Sequence, residues 1–463
     1  MKDKDLSRAI WLIAALTLFR IGALIFTQAP IHGDEAQYWS WAKDLDFGYY
    51  SKPPMIGWVI AFSTTLFGDG AFGVRFLSPL LHGGTALIIL AIGRHLFGNR
   101  VGAWSGITYA LIPGVSWAST LISTDTPLLF FIALATLFYV RGNAVGTGFG
   151  LGLGFLSKYA MSYWLIGAAL DQALRKDRWS LGQIAIMLTI GVAVLVPNII
   201  WNAGQDFVTV AHLGENANLH SKAGGLSGLV DFWGSQFGVF GPFIFLALIA
   251  ALASPTTWRD PNMRTLALLA LPPLIVVSTQ AVLSRANANW AVAAYVPSVP
   301  LIANWLITHA RFRFVLPATL GLHGIVAALI AVVIIFPASI PYRPLEKAHL
   351  KLMVGPDLGA ALEGRMDLPL LTDDRMTTAL ILYYRRADDL SQMRRLPHPQ
   401  NAITDHYQMT RPLDYCDSKG LHLLVARRAN VPNILSAIAK TEQIKAGRFT
   451  YHLTIVEPSH DGC

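Results

Sequence analysis

The chain has 463 residues, of which 53% are hydrophobic and 14% charged, and its formal net charge is +8. That composition excludes a disordered chain and points to a polytopic α-helical membrane protein. The positive balance does not indicate nucleic acid, because Lys and Arg fall in short clusters between apolar runs rather than along one binding face.

In chain order, the first apolar segment covers 9–27. It is too long for the apolar part of a signal peptide and lacks a small-residue cleavage site, so it reads as a retained helix. Further segments of spanning character lie at 75–93, 101–119, 124–140, 148–158, 160–173, 181–200, 230–253, 265–284, 291–308 and 314–337. Together they predict about eleven spans, at about 17–25 apolar residues per crossing. Residues 53–68 are also apolar, but they start on Pro53-Pro54 and suit a re-entrant or interfacial helix. With that segment kept out of the count, Lys2, Lys4 and Arg8, Arg94 and Arg100, Arg141, Arg175 to Arg178, Arg259 and Arg264, and Arg311 and Arg313 all fall on the cytoplasmic side. The expected location is the cytoplasmic (inner) membrane. From about 340 the chain becomes more polar, alternating strand-like runs (Leu421–Val425, Tyr451–Val456) with helix-like ones (Thr377–Arg386, Ile434–Thr441). We expect a transmembrane domain over 1–339, containing a first outer loop over 28–74, and a small C-terminal α/β domain over 340–463 on the outer side. Cys416 and Cys463 would then both be outside, where pairing is chemically open to them but not decided by their spacing.

This topology gathers charged residues from several connections on the outer face. The first loop carries adjacent carboxylates, Asp34 and Glu35, then Tyr38, Trp39, Trp41, Tyr49 and Tyr50, and closes on Lys52-Pro53-Pro54. Ionisable groups at the mouth of a hydrophobic domain are costly and mark a site, although the aromatics alone also suit an interfacial belt. Asp34 is the candidate catalytic base, and Glu35 either raises its pKa or orients the loop. Asp125, in Ser123-Thr124-Asp125-Thr126-Pro127, is a second candidate catalytic carboxylate, at a place that also suits a helix cap. Lys158 interrupts an apolar stretch beside Tyr159, and Arg20 lies inside the first segment. With Lys52, Arg75 and Arg285 they compose a candidate cationic pocket for a phosphate, Asn289 and Trp290 offer donors to a sugar or phosphate, and Tyr50 and Tyr159 are further candidate substrate contacts. Snorkelling is the alternative for the isolated cations. The 201–229 loop holds His212, Glu215, His220 and Lys222; His212 and His220 are candidate ligands of a divalent metal ion, although their spacing matches no tight zinc signature.

The pattern Asp34-Glu35-Ala36-x-Tyr38-Trp39, then Gly48-Tyr49-Tyr50, Lys52-Pro53-Pro54 and Val74 to Ser78 resembles the polyprenyl-phosphate-dependent glycosyltransferases of the C type. Within that class it is most similar to bacterial relatives of protein O-mannosyltransferases and to aminoarabinose–lipid A transferases. The similarity continues through Thr124 to Leu128, Leu156 to Tyr159, Trp201-Asn202 and Asn289 to Pro297. It implies an enzyme that moves one sugar from a polyprenyl-phosphate carrier to a membrane glycolipid such as lipid A or lipopolysaccharide, a polysaccharide or a protein, with inversion. It also implies Asp34 and Asp125 as the key acidic residues and Lys52 and Lys158 as contacts to the carrier phosphate. Two departures stand out. Ser51 and Gln37 replace an acidic residue and an Arg of the aminoarabinose transferases, which removes a ligand from the metal site that the resemblance would imply. A transporter or flippase is the alternative from another class, but it would place its charges near the bilayer midplane in two related halves.

Overall fold

The computed structural model describes residues 3–217, 224–312, 314–340, 342–398 and 402–459. All eleven predicted apolar segments are helical, but they differ in length. Six helices are long and apolar enough to cross a bilayer: Lys4–Ile25, Ala71–Phe97, Leu181–Gly204, Pro261–Leu283, Ala288–Thr308 and Val315–Ile335. The segment expected as one span over 230–253 is instead two helices, Gly225–Val239 and Pro242–Ala253, bent by 118°. The bend sits at Gly241, whose φ of 102° favours glycine, and Pro242 opens the second helix. Counting that pair as one gives seven. The remaining four segments form helices of 13 to 16 residues: Asn99–Leu111, Asp125–Val140, Ala144–Ser157 and Met161–Leu174. Of the eleven expected spans, six or seven are thus long and apolar enough to cross by length and composition and the rest are these shorter helices; Pro113 breaks the 101–119 segment, while Gly142-Asn143 and Lys158 fall at boundaries the apolar pattern already gave. The Met55–Phe67 helix has 13 residues; at about 20 Å it falls short of a ~30 Å hydrocarbon core.

The chain forms two compact units. The first comprises Met1–Phe26, Lys52–Ile56 and Arg75–Val332 and holds the helical core. Its glycine-rich Ala144–Ser157 helix approaches the Leu181–Gly204 helix so closely that a Cβ at Gly148 or Gly152 would lie 2.8 Å from Ile190 Cβ or 2.6 Å from Val194 Cβ. Small residues of this kind let helices pack where no water drives association. Lys158 is the C-cap of the Ala144–Ser157 helix.

The second unit comprises Thr27–Ser51, Gly57–Val74 and Val333–Cys463, so most of the expected first outer loop clusters with the C-terminal stretch. Its six-stranded sheet contains β1 (Leu370–Thr372), β2 (Arg394–Arg395), β3 (His422–Ala426), β4 (Leu435–Ala437), β5 (Glu442–Ala446) and β6 (Phe449–Pro458). The order is β2-β1-β3-β6-β4, with β5 also on β6; β1 runs parallel to β2 and β3, and β6 antiparallel to its three partners. The two strand-like runs are therefore β3 and β6, and the helix-like run near 377 is the Arg375–Tyr384 helix. The helix expected over 434–441 is instead β4. The ten-residue β6 is long enough to take β4 against 456–458 and β5 against 449–453, and that pairing overrides a weak local helix preference. Leu371, Leu424, Leu435 and Val456 form the apolar core under the sheet.

Candidate active site

In the second unit, the first-loop carboxylates sit at the start of the Gly33–Lys43 helix. His32 is the N-cap: its Nδ1 accepts from the backbone N–H of Asp34 at 3.0 Å and of Glu35 at 3.4 Å. Glu35 returns the bond, accepting from His32 N–H at 3.4 Å through Oε2. This reciprocal capping satisfies backbone donors that a helix start leaves open. It also separates the two acids. Glu35 is fully buried and anchors the helix start, which fits the orienting role among the two expected for it. Asp34 is left with its side chain 46% exposed.

Among the described residues Asp34 has one ionic partner, Arg375, whose Nη1 lies 3.3 Å from Oδ1 and also donates to Gln37 Oε1 at 2.5 Å. Arg375 opens the helix Arg375–Tyr384, capped by Asp374, which accepts from the N–H groups of Met376 and Thr377. Met376 lies over Gly33 so closely that a Cβ there would be 2.4 Å from its Cε. Glycine at 33 thus permits the approach that brings Arg375 to Asp34. Nothing near Asp34 in sequence announces Arg375, which lies 341 positions away.

The aromatic residues of the loop are structural ties within this unit. Trp41 stacks on Tyr49 with centroids 4.5 Å apart, and Tyr50, 3% exposed, donates to the carbonyl of Ile403 at 3.1 Å. Trp39 Nε1 and Lys43 Nζ both reach Asp69, at 2.8 and 2.6 Å. Burial pushes the Asp69 carboxyl up, but these two donors and the charges of Lys43 and Arg386 outweigh it and hold it below the usual range.

In the helical unit, three separate segments meet at Asp125. It is the first residue of its helix, and the N-cap residue Thr124 makes no side-chain cap bond. Asp125 Oδ1 accepts from Lys158 Nζ at 2.7 Å and Oδ2 from Asn289 Nδ2 at 2.9 Å. The side chains of Asp125 and Lys158 are only 12% and 22% exposed, so solvent screens the pair weakly. Beside them, Tyr159 donates to Asn198 Oδ1 at 2.9 Å and accepts from Asn202 Nδ2 at 3.2 Å.

Arg20 donates to the Ala110 carbonyl and, at 3.0 Å, to Ser116 Oγ. Arg75 is buried, Lys52 half-buried and Arg285 exposed, and Trp290 packs against the helical core. A buried residue absent from the sequence expectations is His82, within 3.5 Å of Thr126 Oγ1 and 3.3 Å of the Tyr109 hydroxyl. Its signal was a lone histidine in an apolar run, which has no distinguishing pattern. His212 lies on the Val208–Ala217 helix, whereas His220 and Lys222, like Cys463, are outside the described residues. Among the described residues no three or more His, Cys, Asp or Glu side chains gather so as to hold a metal ion.

A family model described as dolichyl-phosphate-mannose-protein mannosyltransferase matches residues 51–201. Over 391 residues, 81% of this chain and 82% of the relative, the sequence is 34% identical to the lipid A galacturonosyltransferase RgtD of Rhizobium johnstonii. The chain belongs to this family of C-type, polyprenyl-phosphate-dependent glycosyltransferases. An undecaprenyl phosphate-aminoarabinose arabinosyl transferase of Pseudomonas fluorescens is 26% identical over 212 residues, 39% of this chain and 38% of that protein. Two crystal structures of ArnT from Cupriavidus metallidurans share the fold. The apo form has a TM-score of 0.62 at 14% identity over 98% of both chains. The form bound to undecaprenyl phosphate has a TM-score of 0.63 at 15% identity, over 96% of this chain and 97% of that one. The protein is thus a multi-span membrane glycosyltransferase, as the first-loop and Thr124-to-Leu128 motifs implied, and family membership favours the enzyme over the transporter alternative.

Proposed function

We propose that this glycosyltransferase moves a uronic acid, galacturonic acid in the first instance, from a polyprenyl-phosphate carrier to a lipid A-type glycolipid at the outer face of the cytoplasmic membrane. The observation that carries this reading is the match along four-fifths of both chains to a lipid A galacturonosyltransferase, whereas the aminoarabinose relative matches under two-fifths. In the proposed reaction an acceptor hydroxyl attacks the anomeric carbon and the bond from that carbon to the phosphate oxygen breaks. The carrier phosphate leaves with the electron pair, the acceptor proton passes to Asp34, and the anomeric configuration inverts. Asp34 suits the base because capping by His32 and Glu35 holds its backbone while its carboxylate stays half-exposed. In the helical unit, Lys158 is the candidate contact to the carrier phosphate, oriented by Asp125 and backed by Asn289; neutralising the departing charge is the larger part of such catalysis. Lys52, Arg75, Arg20 and Arg285 are further candidate phosphate contacts. The inside positives support an outer-side location for the stretch over 340–463.

The test is transfer by the purified protein in detergent, offered polyprenyl-phosphate galacturonate, aminoarabinose or mannose with lipid A as acceptor. Galacturonate on lipid A supports the reading, and aminoarabinose as the preferred sugar overturns it. The mannosyltransferase description over 51–201 favours a protein acceptor as the second reading. A peptide acceptor arm with polyprenyl-phosphate mannose decides that one.

A further inference from the structure

The second unit contains a cation whose best hydrogen-bonding edge is open. Arg375 uses Nη1 alone for its protein partners, Asp34 Oδ1 at 3.3 Å and Gln37 Oε1 at 2.5 Å. Its Nε and Nη2 make no hydrogen bond among the described residues, and its side chain is 45% exposed. A guanidinium presents Nε and one Nη as a planar fork matched to a carboxylate. The backbone beneath that fork is fixed by Asp374 at the helix start and by Met376 against Gly33. An arginine that only neutralised Asp34 would have no need to keep the fork free.

We propose that the Nε–Nη2 edge of Arg375 is the subsite that binds the carboxylate of a uronic acid donor, so that Arg375 selects the sugar. This rests on the reading of the protein as a uronosyltransferase with Asp34 as base, and it names the group that reads the sugar. The electrostatics require such a group. A uronate brought up to Asp34 places one carboxylate near another, and like charges in a partly desolvated site repel and disfavour binding. A shared guanidinium between them offsets that repulsion. A neutral hexose, with CH2OH in place of the carboxylate, gains nothing from the fork. Sites built to pair with a polar substrate group discriminate strongly against analogues that lack it. Gln37 completes the arrangement: its Oε1 accepts from Nη1 without adding a second negative charge.

The experiment compares kcat/KM for polyprenyl-phosphate galacturonate and polyprenyl-phosphate galactose, with lipid A as acceptor, in wild type, Arg375→Gln and Arg375→Lys. The expected result is a wild-type preference for the uronate that falls by roughly ten- to a hundredfold in Arg375→Gln, the range for one charge-assisted bond. The loss should appear mainly in KM for the uronate donor. Arg375→Lys, which keeps the charge but not the fork, should fall between the two. A proportional loss for both donors would assign Arg375 to positioning Asp34 alone and overturn the subsite, as would an unchanged ratio. If wild type transfers galactose as well as galacturonate, the uronate reading itself fails and the subsite with it. Thermal unfolding of each variant separates a folding defect from these outcomes, and the donor ratio is unaffected by the fraction of active enzyme.

Discussion

Replacing Asp125 by alanine should strand an ammonium in a site with little water. Lys158 Nζ lies 2.7 Å from Oδ1 in a pair whose side chains are 12% and 22% exposed. At an effective dielectric of about 20, a unit charge pair at that distance gains about 6 kcal/mol before desolvation. Desolvation of both ions offsets most of it, leaving a net of about 1.5–3 kcal/mol, as charged hydrogen bonds usually contribute. Removing only the acid costs at least that much, because Lys158 stays in place without a counter-ion and Asn289 Nδ2 loses its acceptor. Removing both charges, as Asp125→Ala with Lys158→Met, should cost clearly less than the sum of the two single changes. The assay is a double-mutant cycle on unfolding in detergent micelles, followed by tryptophan fluorescence, with donor KM measured in parallel. The expected coupling is about 1.5–3 kcal/mol. Single effects that add within about 0.5 kcal/mol would refute the idea that Asp125 holds Lys158 in position.

Three further outcomes follow from the same geometry. His32→Ala removes the acceptor for two backbone N–H groups and should cost about 0.5–2 kcal/mol in stability, while lowering turnover through Asp34; urea unfolding and kcat together check it. His406, packed among Trp41, Tyr49 and Tyr407, is pushed down to about 4 by burial and then by the charge of Arg411. Its folded pKa lies below the unfolded value, so the unfolded chain binds more protons between about pH 6.5 and 4, and stability is lost as pH falls through that window, by roughly 3 kcal/mol in all. His406→Phe keeps the ring packing and should flatten thermal stability against pH there; an unchanged slope would contradict the assignment. Gly241→Ala meets both a φ of 102° and the His323 ring, whose Nε2 would lie 2.0 Å from the new Cβ. It should cost about 1–3 kcal/mol or more, read as a lower Tm.

How much was legible depended on the range of the interaction. The apolar segments were readable because membrane burial acts residue by residue, and all of them are helical. Where one segment ends is set by single residues. Gly241-Pro242 was present as a break within 230–253, yet the apolar average outweighed it. Asp34 and Asp125 were legible as carboxylates bordering apolar runs. Their partners were not: Arg375 meets Asp34 through the contact of Met376 with Gly33, and Asn289 meets Asp125 across 164 positions, and neither leaves a local period. Glu35 looked like half of an acidic pair, but its role follows from His32, and histidine is an uncommon N-cap. The run at 434–441 became a strand because β6 offered an edge to pair with, a fact stored elsewhere in the chain.

The most direct test of the account is the transfer rate of wild type against Asp34→Asn, with polyprenyl-phosphate galacturonate and lipid A as substrates. Because capping is performed by His32 and Glu35, the asparagine variant should fold and bind donor as wild type does. Its kcat should drop by roughly 10²–10⁴-fold, the range for losing a general base. A folded Asp34→Asn enzyme that transfers galacturonate at the wild-type rate would contradict the central claim.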